Sequence, residues 1–484
     1  MKALTRISKE HYSRAIVCFL VCCAVLGVTY SPALAGPEGA DVVNGQVTIQ
    51  QSGYNTSITA SDKAIVNYSS FDIAQPEVVQ FIQPSSSASV LNRILSASPT
   101  NINGTLLANG RVFFVNPAGV YIGSGATVNV NGLIASALNI SDSDFVNGKL
   151  NFAGGAGSVI NAGDISAREV YLIGNQVANS GSISCPDGYV VMAAGDRVFL
   201  GEPGSSIVLD VGSSSSSDAV QAETGVLNEG SISAAGGRIA LAGAGDIYAQ
   251  AISNVGTLSV SAEAGDAGEV TLNGGDGQIT NAGAINASGQ RGGAVTVDGG
   301  DVTLTAGSVI HADGSEAGGT VEILADGLVA DGLITADGPS GAYGDILLDP
   351  TADLTIDGTL AGNIVTALSG SDYHVIASDS ITVDAEIDSS AQGSSTTLSF
   401  DDENTNNDLT INLNEKIKLG VNQTLTGDGT TINVASNGSI QNSIDVASSD
   451  TSIWKTINVA ANTYTEDLLI DASKSKLDLA GADK

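Results

Sequence analysis

The chain has 484 residues, of which 52 are acidic and 18 basic, for a formal net charge of −34. No basic stretch is interleaved with aromatics, which excludes nucleic acid as a partner, and such acidity keeps a protein soluble while opposing anionic surfaces. A mean hydropathy of +0.18 is too apolar for a disordered chain, 59 glycines without a Gly-X-Y period exclude collagen, and aromatics at 4% leave Val, Ile, Leu and Ala to fill a thin core.

Residues 1–35 have the layout of a cleaved signal peptide. Lys2, Arg6, Lys9 and Arg14 make a basic region, Ala15 to Val28 an apolar one, and Ala33-Leu34-Ala35 a small-residue cleavage site. The apolar run is short for a transmembrane helix, so the mature chain is expected to start near Gly36. Cys18, Cys22 and Cys23 leave with the leader. Cys185 then stands alone, with no disulfide or zinc cluster open to it, and is expected to be a small buried hydrophobe.

Residues 41–65 and the Ser- and Ala-rich stretch Ser85 to Ser98 are candidates for a cap on an open solenoid end. Leu91, Ile94 and Leu95 stand at helical spacing in the latter, which predicts a short helix or a capping loop. Asn109 to Gly123 reads as strand, turn, strand. Two β-branched and aromatic runs flank Asn116-Pro117-Ala118-Gly119, where Pro117 fixes φ and Gly119 is free to take the positive φ of a tight reversal.

A degenerate repeat sets the architecture. Asn161-Ala162-Gly163-Asp164-Ile165-Ser166-Ala167 returns with its Asn at 179, 228, 254 and 281, at intervals of 18, 49, 26 and 27 residues. The interval of 49 predicts two or more units, including a flexible insert at Ser213 to Ser217. Between these turns lie five-residue strands such as Glu169 to Ile173, Tyr189 to Ala193 and Arg238 to Ala242. Periods of this length mean a solenoid, and short strands joined by Gly/Asn turns mean an all-β, right-handed parallel β-helix. A sandwich or barrel would instead show two-residue Asn-Gly hairpins. The corner asparagines are placed to ladder amide to amide.

After Pro350 the repeat blurs. Asp401 to Asp408 is an acidic loop that reads as solvated, with Ca²⁺ through oxygen ligands left open. Ile440 to Ala447, Thr456 to Tyr464 and Leu468 to Ile470 resemble a helix-capped opening of a second, pectin-lyase-like β-helix. That coil is hardly begun at Lys484, which suggests a fragment of a longer exoprotein.

Catalytic patterns are poor. Outside the leader only His311 and His374 remain, with no His-Glu-x-x-His, Gly-x-Ser-x-Gly, Walker or Cys-x-x-Cys motif. His311 is expected in a turn after an apolar strand. Asp164, Asp187, Asp196, Asp276, Asp301 and Asp313 stand at outward corners, and nothing selects a carboxylate pair for glycoside cleavage among them.

Several blocks in order carry a family resemblance: Val66 to Ile73 with Asn67 and Phe71, Val79 to Pro84 with Phe81, Leu91 to Ile94 with Asn92 and Arg93, Gly104 to Gly110 with Asn109 and Gly110, then Asn116-Pro117-Ala118-Gly119-Val120, Gly132 to Ser136 and Ile140 to Phe145. Together they resemble the N-terminal domain of the filamentous haemagglutinin family, the secretion domain of two-partner exoproteins. Ala118 stands where that family has a second Asn, and Tyr68 where it has Trp. The resemblance implies a Sec-exported protein, secreted or on the outer surface of a Gram-negative-type bacterium. It implies an outer-membrane β-barrel transporter as partner, no enzymatic turnover and no cofactor. It makes Asn116, Pro117, Gly119 and Val120 the candidate secretion motif, and implies adhesion to host-cell or matrix receptors or glycans. Three other readings stay open: a polysaccharide-binding or polysaccharide-cleaving β-helix, a contact-dependent toxin carrier and a surface-layer protein. The expected organisation is a signal peptide at 1–35, a secretion domain at 36–155, β-helix repeats at 156–350, an irregular β-rich segment at 351–435 and the start of a second β-helix at 436–484.

Overall fold

The computed structural model describes residues 36–201, 209–212, 221–245, 247–403, 408–470 and 473–481. The signal-peptide reading, the Ser213 to Ser217 insert and residues 404–407 of the acidic loop lie outside these residues.

One turn of chain shows the plan. The strands Ser231–Ser233, Arg238–Gly243 and Tyr248–Asn254 follow each other around three sides, and Thr257–Ser259 then lies back in parallel on Ser231–Ser233. Repetition of this step builds a parallel β-helix. Alternation puts Ile165, Ile183, Ile232, Leu258, Ile285, Ile310 and Ile334 in one inward column, each at most 2% exposed. Each such side chain stabilises the stack by about 1.5–3 kcal/mol. The repeating coil therefore needs no bulky residue at its centre.

The N-terminal end is closed by antiparallel pairing. Asp41–Asn44 pairs with Ala64–Tyr68, and Val47–Ser52 with Asn55–Ala60, before parallel stacking begins at Val78–Ile82. Ser85 to Ser98 departs from the expected helix or loop. Ser89–Ile94 is a strand between Ala64–Tyr68 and Arg111–Val115. Its Val90 and Ile94 face the inner core and Leu91 the opposite side, so an apolar spacing that suits a helix here serves a strand buried on both faces.

The interval of 49 also differs from expectation. Gln176–Asn179 pairs directly with Gln221–Asn228, so a single coil spans it. The extra chain leaves the stack, and its strands Arg197–Leu200 and Leu209–Gly212 join Asn139–Ile140 and Leu150–Ala153, from an earlier part of the chain, in one antiparallel sheet with the short helix α1 (Asp142–Val146) beside it. This layer covers an outward apolar column of Leu91, Phe113, Ile134, Tyr171 and Val191. A second core thus lies outside the solenoid wall.

Beyond Pro350, α2 (Gly358–Ala367) is N-capped by Asp357, and α3 (Ile440–Asp445) by Ser439. Ser380–Val383, Thr410–Leu413, Thr431–Val434, Lys455–Val459 and Leu477–Gly481 form one continuous parallel sheet. The strands read as the opening of a second β-helix therefore continue the first stack. Glu466 accepts from the Ile440 and Gln441 amides at the start of α3, while Lys474 donates to the Asp445 and Ala447 carbonyls at its end.

The corner asparagines form the expected ladder. Asn161 donates to Asn179, Asn179 to Asn228, Asn228 to Asn254 and Asn254 to Asn281, at 2.8, 2.8, 2.8 and 2.7 Å, with every member at most 1% exposed. Cys185 is buried and unpaired, and burial pushes its thiol up to about 12. His311 ends the strand Val309–His311 rather than lying in a turn. Its Nδ1 is 2.8 Å from the Thr335 hydroxyl on the neighbouring coil.

Candidate functional site

The Asn116 turn is held from three sides. The Gly119 amide donates to the Asn116 carbonyl at 2.8 Å, and the Ala118 amide to Asn116 Oδ1 at 2.9 Å. Asn116 Nδ2 donates to the Ser98 carbonyl at 3.0 Å and to the Thr100 hydroxyl at 3.1 Å, one coil away. The side chain is 0% exposed. Asn116 thus closes its own turn and also binds the preceding coil. Gly119 has φ +120°, and a Cβ there would lie 2.9 Å from the Ser158 carbonyl of the following coil, so glycine is required on both counts. Val120 then enters the core between Thr100 and Val159. Pro117 and Ala118 are half-buried at the tip.

The other singled-out residues divide by role. Phe71, Phe81 and Phe114 pack with Tyr68 inside the first coils, with centroid separations of 5.0 Å for Tyr68–Phe71 and for Phe71–Phe114. Phe81 lies 6.4 Å from Phe71 and 6.3 Å from Phe114. Asn109 pairs with both backbone groups of Gln83, accepting from its amide at 2.8 Å and donating to its carbonyl at 2.7 Å. Gly110 lies where a Cβ would strike the Gln83 side chain and the Ala88 carbonyl. Asn92 is buried and donates to the Phe113 carbonyl. Arg93 meets Asp142 at 2.7 Å and donates to the Ile140 carbonyl at 2.8 Å, with Asn67 behind it at 3.4 Å. Blocks about fifty residues apart in sequence thus join, and the outer layer is pinned to the wall.

Residues 33–287, more than half of the chain, match the family profile of the TPS secretion domain. The chain belongs to this family. TPS denotes two-partner secretion, whose exoproteins are secreted or surface proteins of Gram-negative bacteria and typically non-enzymatic. The TPS domain implies an outer-membrane transporter as partner. A heme/hemopexin-binding protein of Haemophilus influenzae is 35% identical over 125 residues, and its counterpart in the strain ATCC 51907 / DSM 11121 / KW20 / Rd is 33% identical over 123. Either match covers 25% of this chain and only 14% of the relative's length. The crystal structure of the HMW1 secretion domain from Haemophilus influenzae superposes with a TM-score of 0.56 at 24% identity, over 81% of this chain and 98% of that one. This likeness is one of fold, and it agrees with the parallel β-helix described above.

Within the TPS domain the outer layer is what sequence reasoning missed. Its signal was present: residues 112–115 of Arg111–Val115 and 190–194 of Tyr189–Ala194 read as unbroken apolar runs, as strands covered on both faces do. Farther along, Glu269–Gly275 alternates, with its outward positions half-buried or exposed. Among the described residues no group of three His, Cys, Asp or Glu is arranged to hold a metal.

Proposed function

We propose that this chain is a two-partner exoprotein that passes unfolded through an outer-membrane β-barrel transporter and winds up outside, where it has a structural, adhesive role. The observation that carries this is the family match over 33–287 together with a buried Asn116 turn that bonds to the coil before it. Outward winding is downhill, since each coil that docks buries another aliphatic layer and closes another set of strand hydrogen bonds. Asn116, Pro117, Gly119 and Val120 are the proposed secretion determinants. Receptors or glycans on host cells or matrix are the proposed targets. Haem or hemopexin binding belongs to the names of relatives matched over 14% of their length, and is not part of this reading.

The test is export of tagged wild type, Asn116→Ala and Asn228→Ala, the last breaking the ladder but leaving the turn intact. Export lost only in the Asn116 variant supports a recognition role. Equal loss in both means that the turn matters through folding alone.

Polysaccharide binding has one observation in its favour. A groove of ≈ 600 Å³ runs across several coils over Gly188, Gly237 and Gly268, flanked by Tyr189, Arg238 and Glu269. A shift in mobility on affinity gels containing acidic or neutral glycans, abolished by Tyr189→Ala, would establish it.

A further inference from the structure

The asparagine ladder has a direction. At its start the Gly163 amide donates to Asn161 Oδ1 at 3.2 Å, which fixes that atom as the acceptor and leaves Nδ2 to face Asn179. An amide whose oxygen accepts from one side must donate on the other, so the orientation of Asn161 fixes those of Asn179, Asn228, Asn254 and Asn281 in turn. Every donor points toward the C-terminal end. The column is bounded by Ile122 in the coil before and Leu304 in the coil after. The last donor, Asn281 Nδ2, is fully buried and meets no acceptor.

We propose that this ladder is a one-way register template. A newly docked coil presents an amide donor that is about to be buried, and only an acceptor at one position of the next coil satisfies it. A coil that slips by one residue turns that acceptor away from the column and leaves a buried donor unpaired, at a cost of about 1–3 kcal/mol. Register therefore passes from coil to coil in the N-to-C direction. The device requires nothing of the transporter and stands apart from the secretion reading. It also explains why the column tolerates an excursion as long as that between Asn179 and Asn228, since the ladder restores alignment when the chain returns.

The direction makes one substitution behave differently at the two ends. In Asn161→Asp the carboxylate still accepts from Gly163, but it loses the donor bonds to Asn179 and to the Gly163 carbonyl and sets an oxygen against Asn179 Oδ1. In Asn281→Asp the carboxylate still accepts from Asn254 and loses no bond that the wild type makes. Both sites are 0% exposed, so desolvation is matched. Hydrogen exchange at neutral pH over Gln176–Asn179 and Tyr248–Asn254 reads the outcome. The expected result is exchange at least about tenfold faster in Asn161→Asp than in Asn281→Asp, the equivalent of about 1.4 kcal/mol. An Asn161→Asp protein that does not fold beside a folded Asn281→Asp supports the proposal equally. Equal rates, a worse Asn281→Asp, or failure of Asn281→Asp to fold overturns it.

Discussion

Replacement of Asn116 by Ala should open the turn that bears the candidate motif. The change removes the bonds from Nδ2 to the Ser98 carbonyl and the Thr100 hydroxyl and the acceptor for the Ala118 amide. At about 1 kcal/mol net for each hydrogen bond, the local loss is about 3 kcal/mol. Thr100, 1% exposed, is also left without that partner. A solenoid of this length need not unfold in one step, so peptide-resolved hydrogen exchange over 98–122 is the proper assay. About 3 kcal/mol corresponds to exchange accelerated by roughly a hundredfold in that segment, with little change over Val309–His311. Acceleration below about fivefold would refute the claim that the carboxamide joins the two coils.

Three further outcomes follow from the same structure. Tyr68 is 0% exposed and its hydroxyl meets no partner, so Tyr68→Phe should leave thermal stability unchanged or raise it by about 1 kcal/mol, and a clear fall in Tm would mean that the hydroxyl is satisfied. Arg93→Ala should loosen the outer layer by about 1 kcal/mol, because the Asp142 side chain is 48% exposed and solvent screens the pair; limited proteolysis should then cut within 139–153 first, and unchanged cleavage there would contradict the pinning role. Cys185 has its thiol pushed from 9.0 up to about 12 by burial, so the unfolded chain loses that proton first and stability falls from about pH 9 up to about pH 12; Cys185→Ala should flatten that slope in denaturant titrations, and an unaltered slope would show that the thiol is not protected.

The aliphatic columns, the Asn ladder and the Asn116 turn were legible because each depends on local chemistry repeated at coil length. An inward Ile in Ser231–Ser233 and its neighbours declares itself by alternation, and a corner Asn by its fixed distance from Gly. The outer layer was not legible as a layer, because its strands carry no repeat and its two halves join only through the antiparallel pairing of Leu150–Ala153 with Arg197–Leu200, tens of residues apart. The 89–94 strand misled for a related reason. Leu91 and Ile94 serve opposite cores, and two-sided burial mimics helical spacing. The continuity of the last strands past residue 435 depended on register between Thr431–Val434 and Lys455–Val459, although the shared Thr-Ile-Asn-Val is visible in the sequence. The Arg93–Asp142 contact required the fold itself, since neither residue is distinctive alone.

The most direct measurement is to express the tagged chain in a Gram-negative host with and without its outer-membrane transporter, and to assay the medium and cell surface for folded, protease-resistant protein. The account predicts such protein outside only when the transporter is present, with the chain degraded in the periplasm otherwise. Equal amounts outside in both strains, or none in either, would contradict it.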